Sequence, residues 1–376
     1  MPDQARGPLA GIRVLDFSTL LPGPLATLML AEAGAEVIKF ERPDGEDMRR
    51  FEPKWGKESV AFAMLNRGKK SVAADLKDPQ VRERVLALAR TADIVVEQFR
   101  PGVMDRLGLG YAAFRGANPR IVYCAISGYG QSGPRAMRAG HDLNYIGDAG
   151  LLALSSGPAG HRVVPPALTA DIAGASYPAV MNILLALRQR DATGEGTFID
   201  VSMADCVFPF MFWALGEGFA TGQWPGSGTS LLTGGTPRYR LYETRDGKVA
   251  CVAAIEQRFW TSFCAAIGLD RELIDDTRDR AATVKRVTEI IASKTAAEWL
   301  PIFDQADCCC SIMQSLSAAL DDPHFKARGL FAARLVNAGG QSIPALPLPI
   351  AGALRPGAAG DASSPALGAH NAEFGF

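Results

Sequence analysis

Short apolar runs alternate with amphipathic stretches along the first half of the chain. GIRVLDF (11–17) reads as a strand and STLLPGP (18–24) as a Pro/Gly turn; LATLMLAEAG (25–34) carries helix formers and stops at Gly34, a helix-terminating position. AEVIKF (35–40) is a second strand, so that strand, turn, helix and strand make a βαβ unit, the building block of a parallel sheet. The alternation continues with SVAADL (71–76) as strand, DPQVRERVLALARTA (78–92) as amphipathic helix, and DIVVEQF (93–99) and RIVYCAIS (120–127) as strands. SGYGQSGPRAMRAG (127–140) is a long glycine-bearing loop, a common carrier of function. DIAGASYPAVMNILLALRQR (171–190) predicts a helix opening on Asp171, and GTFIDVSM (196–203) a strand. A Gly/Ser/Thr-rich stretch (217–240) reads as a linker, and GKVACVAA (247–254) with EQRFWTSFCAAIGL (256–269) begins a second α/β portion. A Pro/Gly/Ala-rich tail (337–365) predicts extended chain.

Composition narrows the function classes. A length of 376 residues exceeds one ordinary core, so two domains are expected. With 39 basic and 40 acidic side chains the net charge is −1, and no global field points to nucleic acid or a membrane surface. No uninterrupted apolar run reaches the ~20 residues that span a bilayer, and the N-terminus has no secretory pattern. Seven cysteines without framework spacing suggest reduced thiols and a cytoplasmic chain. The run Cys308, Cys309, Cys310 has no CxxC or HxxxH partner; we read it as buried small hydrophobes and expect no metal site. The first βα turn offers Pro22, Gly23 and Pro24 instead of a glycine-rich phosphate cradle, which argues against a dinucleotide cofactor.

Of the four histidines, His141 stands beside Asp142 in AGHDLNYI (139–146); His161, His324 and His370 read as structural or surface residues. Taken alone, His141 suits a satisfied core histidine as well as a base, Asp171 suits a helix cap, and Glu256 suits the start of a surface helix.

Several stretches together are more specific. LAGIRVLDFSTLLPGPLATLMLAEAGAEVIKFERP, ADLKDPQ, FRPGVMDRLGLG, NPRIVYCAISGYGQSGP, AGHDLNYI and VAAIEQRFW occur in one order, followed by DDPHFKARGLF. They resemble the family III CoA-transferase (CaiB/BaiF-like) superfamily, and within it the α-methylacyl-CoA racemase branch. The resemblance implies an α/β fold with a discontinuous Rossmann-like large domain and a smaller α/β central domain, assembled as an interlocked homodimer of ring-shaped subunits. In this chain that corresponds to a large domain over 1–200, a linker helix and loop over 201–235, a small domain over 236–325 and a return segment over 326–376. It implies His141 and Asp171 as acid/base pair, with Glu256 contacting the histidine, or Asp171 as nucleophile in a CoA transferase. For the acyl-CoA substrate it implies Arg42, the run Ala74, Asp75, Leu76 and Lys77, then Gln98, Phe99, Arg100 and Arg106, with Gly140, Asp142 and Tyr145 near the reacting centre. No cofactor beyond the substrate's own coenzyme A is implied, and no nucleic-acid or membrane partner.

The chemistry suits these residue types. Epimerising a 2-methylacyl thioester removes the proton beside the carbonyl and returns one from the opposite face, so two groups must flank that carbon. Imidazole titrates near neutrality, and partial burial raises a carboxyl towards the same range. The enolate oxygen needs donors, which the first-turn amides after Asp171 can supply. We favour Glu256 over Asp142 to orient the imidazole, because neighbouring side chains on a strand face opposite ways. The fork of Arg42 and the point charge of Lys77 suit the CoA phosphates. MADCVFPFMFWALG supplies Met203, Phe210 and Met211 as candidates for an apolar acyl wall. Asp148 departs from the family pattern as a third carboxylate near the site, where it could raise its neighbours' pKa; the TGGTP stretch (233–237) lacks the glycine run of the formyl-CoA and oxalate transferases, favouring the racemase branch.

Overall fold

The computed structural model describes residues 7–155, 163–356 and 361–376; His161 lies outside them. Six strands form one parallel sheet: β1 (Arg13–Phe17), β2 (Glu36–Glu41), β3 (Lys70–Ala73), β4 (Ile94–Glu97), β5 (Val122–Ser127) and β6 (Thr197–Ser202). Their order is β3-β2-β1-β4-β5-β6 and every pairing is parallel. Val14 sits between Val37 and Ile94, and all three are fully buried, which explains the nearly unbroken apolar runs. On one face Leu15, Phe17, Ile38, Phe40, Val72, Val95 and Tyr123 form a core with Val85 and Ala89 of helix α2 (Pro79–Ala89). Phe17 and Phe40 stack at 4.7 Å within it. The C-terminal segment returns to the edge strand: His370 donates its amide to the Ser71 carbonyl, Asn371 Oδ1 accepts from the Ala73 amide, and Phe374 and Phe376 pack on the same core. Strand order reverses between β1 and β4, and ligands of such sheets bind beyond the strands' carboxyl ends at that switch.

Contacts group the chain into two units: one within Met1–Ala149, Pro166–Phe210 and Lys326–Phe376, the other within Gly150–Pro165 and Met211–Phe325. The expected boundaries fell at 200 and 236; here 201–210 groups with the first unit, and the stretch expected to hold a linker helix carries the helix Phe212–Thr221. The second unit pairs Val249–Ala253 with Tyr239–Glu243 and Cys310–Ile312, antiparallel, over a core including Trp260, Phe263, Trp299 and Phe303.

Four local expectations are corrected. The helix does not open on Asp171: a π-helical turn covers Thr169–Ser176 before the α-helix α4 (Tyr177–Thr193). Together Thr169–Thr193 make 25 continuous helical residues with a mean hydropathy of 1.4 in the apolar window, long and apolar enough to cross a membrane by length and composition. Counting unbroken runs missed this because Ser, Pro and Asn interrupt the apolar positions. The helix also packs on β5 and β6, and its Arg190 pairs with Asp93 at 2.9 Å, as a core helix does. Of the cysteine triplet only Cys308 is buried; Cys309 is exposed with φ +54°. A left-handed bend ahead of the strand Cys310–Ile312 turns that thiol out where an all-buried run was expected. The tail is not wholly extended: Ser342–Pro344 is a strand paired with Arg334–Val336, but a 3₁₀ turn covers Gly352–Leu354.

Candidate active site

The turns after β1 and β4 converge at the switch point. Gly23 opens α1 (Pro22–Glu32), and a Cβ there would stand 2.2 Å from that of Ser18, so only glycine fits. Its amide donates to Gln98 Oε1 at 2.9 Å, tying the β1 turn to the β4 turn rather than pointing at a ligand.

Two cavities flank these turns within the first unit. The larger, of about 840 Å³, is lined by Leu20, Leu21, Gln98, Phe99, Arg100, Arg138, Gly140, His141, Tyr145, Leu168, Asp171 and Met203, among others. The smaller, of about 380 Å³, is lined by Thr19, Arg42, Glu46, Asp47, Ala74, Asp75, Leu76, Lys77 and Phe99. Phe99 lines both. His141 and Asp171 thus share one cavity, reached from two separate elements. His141 ends the glycine-bearing loop as N-cap of helix α3 (Asp142–Asp148), where its amide donates to Asn144 Oδ1 at 3.0 Å and its side chain stays exposed. Asp171 is the third residue of the π-helical turn.

The electrostatics set these groups apart. Burial pushes the Asp171 carboxyl up, the like charge of Asp142 adds to it, and His141 opposes; the balance brings it from 3.8 to about 6. Asp142 corrects the expected arrangement. It is buried at the first turn of a helix, not on a strand, and its Oδ1 accepts from the Asp171 amide at 2.9 Å. That amide is therefore not a free donor for an enolate oxygen. Asp148 is engaged elsewhere: its Oδ2 accepts from the Tyr129 hydroxyl at 2.7 Å and lies 3.3 Å from both Arg135 and Arg138, and the Tyr129 hydrogen bond, then the two arginine charges, hold its carboxyl below its ordinary value. It ties down the loop that carries Arg138 to the cavity. Tyr145 donates its hydroxyl to the Gly140 carbonyl, and burial, reinforced by Asp171, pushes it to about 12.

Most of the sequence-derived residues gather here. Arg42, Ala74, Asp75, Leu76, Lys77 and Phe99 converge on the smaller cavity, although Arg42 is already paired with Asp47 at 2.8 Å. Gln98, Arg100, Gly140 and Tyr145 line the larger one. Arg106 lines neither: it ends the short helix Val103–Arg106 and is exposed. Glu256 caps the helix Gln257–Ile267 in the second unit and is not among the lining residues. Of the apolar candidates, Met203 lines the larger cavity, whereas Phe210 and Met211 do not. Sequence reasoning missed Arg138, Met48 and Leu20; only Arg138 had a signal, its place in the glycine-bearing loop.

A family model described as CoA-transferase family III matches residues 9–371. The chain belongs to CoA-transferase family III. This family III chain is 33% identical to human alpha-methylacyl-CoA racemase over 86% of its length and 82% of the relative's. It is 34% identical to acetyl-CoA:oxalate CoA-transferase of Acetobacter aceti, over 93% and 91% respectively. Its fold matches the crystal structure of Rv3272 from M. tuberculosis with a TM-score of 0.83 and 30% identity, covering 98% of this chain and 99% of that one.

Proposed function

We propose that this family III chain interconverts the 2R and 2S epimers of 2-methylacyl-CoA thioesters, with His141 and Asp171 as the two proton-transfer groups. One observation carries the reading: a carboxyl raised to about 6 lines the same cavity as an imidazole. Imidazoles ordinarily titrate near about 6.5, so a carboxyl at about 6 can exchange a proton with such a group at little cost near neutral pH. In one direction ionised Asp171 removes the α-proton while imidazolium returns one; in the other the roles exchange. The nucleotide end of coenzyme A suits the smaller cavity, where Arg42 and Lys77 face its phosphates, and the thioester reaches the larger cavity past Phe99. Glu256 remains our choice to orient the imidazole, on the family motif alone, and no cofactor is required.

The second reading is a CoA transferase with Asp171 as nucleophile, supported by the oxalate CoA-transferase relative. A nucleophilic carboxylate needs no partner imidazole, so His141 favours epimerisation. One experiment separates them: a single-epimer 2-methylacyl-CoA in deuterium oxide, with wild-type protein and His141→Ala. We expect α-deuterium and loss of epimeric purity with wild type, both falling by about 10²- to 10⁴-fold in the variant. Transfer of CoA to a free carboxylate that survives His141→Ala, with no α-deuterium, overturns the proposal in favour of the transferase.

We also propose a homodimer, interlocked as the family resemblance implies. Tyr177, Met181, Leu184 and Leu185 recur at helical spacing on α4 and are 43, 56, 44 and 62% exposed, an apolar stripe that a second copy would cover. Light scattering should return twice the 40.0 kDa chain mass; a monomer at micromolar concentration refutes it.

A further inference from the structure

Beneath the switch-point turn lies a charged network that the proposed chemistry does not use. Leu20 is left-handed, with φ +60°, a conformation that costs a branched residue free energy and persists only when its surroundings impose it. Its amide donates to Glu46 Oε2 at 2.9 Å. Glu46 is 98% buried by its 2% exposure, and its Oε1 lies 3.3 Å from Lys39 Nζ as an ion pair that makes no hydrogen bond. Lys39, fully buried, donates to the Ser18 carbonyl at 2.8 Å. One carboxylate thus grips the turn at Leu20, while its ammonium partner grips it at Ser18. Between these anchors Thr19 lines the smaller cavity; directly after it Leu20, Leu21 and Pro22 line the larger.

We propose that Glu46 is a positioning residue: by holding Leu20 left-handed it sets the wall between the two cavities, and so the place where a bound CoA ester's α-carbon comes to rest. The identity of that ligand rests on the acyl-CoA reading above. The placement of the turn by Glu46 does not. Glu46 borders the smaller cavity, but its two carboxylate oxygens are turned to the Leu20 amide and to Lys39.

Three variants test this: Glu46→Ala, Glu46→Gln and Leu20→Gly, with Glu46→Ala also made in the Leu20→Gly background. Glutamine keeps an acceptor for the Leu20 amide, and glycine adopts φ +60° without strain. For α-proton exchange we expect Glu46→Ala to lower kcat about 10- to 100-fold, the effect of a small misplacement, with KM and the Kd for free CoA changing less than about threefold. Glu46→Gln should recover most of the loss, and in the Leu20→Gly background removing Glu46 should cost little more. A raised KM at unchanged kcat would make Glu46 a ligand contact and overturn the proposal. So would an undiminished loss in the Leu20→Gly background. Amide exchange on the wild-type protein covers the case in which Glu46→Ala does not fold: the Leu20 amide should exchange slowly without ligand both in wild type and in Glu46→Gln, which keeps the acceptor, and rapid exchange in wild type refutes the grip. If wild type performs no α-proton exchange, the epimerase reading fails while CoA affinity and Leu20 amide exchange still decide the role of Glu46.

Discussion

Replacing Asp171 by asparagine should abolish turnover and at the same time make the protein more stable. The loss follows from the proposed chemistry: an amide neither takes nor returns the α-proton, and one positioned acid/base group is worth about 10²- to 10⁴-fold in rate. The gain follows from the same burial that tunes the group. Its carboxyl is raised from 3.8 to about 6 by burial and by Asp142, so its contribution to folding is full below 3.8 and is lost as pH rises through 6. At pH 7.5 the ionised group is therefore a net cost. Taken whole, that shift is worth about 3 kcal/mol; because the carboxyl is only partly buried and His141 faces it, we expect on the order of 1–2 kcal/mol. Thermal melts should show a midpoint raised by a few degrees at pH 7.5, and little difference from wild type near pH 4. In the active protein, kcat/KM should be bell-shaped in pH because the pair must hold one proton, and Asp142→Asn, by removing the like charge on Asp171, should move the acid limb down. An Asp171→Asn protein that melts lower at pH 7.5 would show the carboxyl to be a structural cap instead.

Replacing Asp16 by alanine should have the opposite consequence, a large loss of stability. Asp16 ends the buried polar network under the switch-point turn: it accepts from the Ser18 amide and hydroxyl, from Thr27 Oγ1 at 2.6 Å and from Lys69 Nζ at 3.2 Å, and both Asp16 and Lys69 are wholly buried. Burial alone would raise its carboxyl, but Lys69, Lys39 and the hydroxyl donors outweigh it and bring the group to about 2. Its stabilising contribution is therefore complete above 3.8 and disappears as pH falls through 2. Removing the carboxylate strands the buried Lys69 ammonium, and breaking such a pair from one side costs about 3–5 kcal/mol. Urea titrations at pH 7 should record this as a lower midpoint. The double replacement Asp16→Leu with Lys69→Met should cost less than Asp16→Ala alone, since no charge is then left unpaired. A loss below about 1 kcal/mol for Asp16→Ala would mean that water reaches Lys69 and the network is not structural.

These two aspartates mark the limits of what the chain says by itself. β1, β2, β4 and β5 were legible because a strand buried on both faces must be apolar almost throughout, and Val14, Ile38, Val95 and Ile126 obey that rule. Arg42 and the Ala74–Lys77 run, which line the smaller cavity, were legible only through the family resemblance, since neither carries a periodic trace of its own. Asp16 sits inside such a strand and looked like an ordinary polar interruption; its partners Lys69, Lys39 and Thr27 are scattered along the sequence. Glu46 had no signal at all, since a carboxylate that bonds one distant amide leaves no periodic trace. Asp142 was read as a strand residue facing away from His141, and only the helix capped by His141 turns it towards the Asp171 amide.

Through the family resemblance the sequence named His141 and Asp171; by itself it determined the parallel α/β layer and the turn after β1. Those depend on local periodicity and on intrinsic side-chain chemistry, which a linear reading contains. The tertiary structure alone decided that the Asp171 carboxyl sits at about 6, that Asp142 holds its amide, and that Glu46 grips Leu20. Desolvation and charge coupling depend on distance through space, and residues far apart in the chain acquire it only when the sheet brings their loops together.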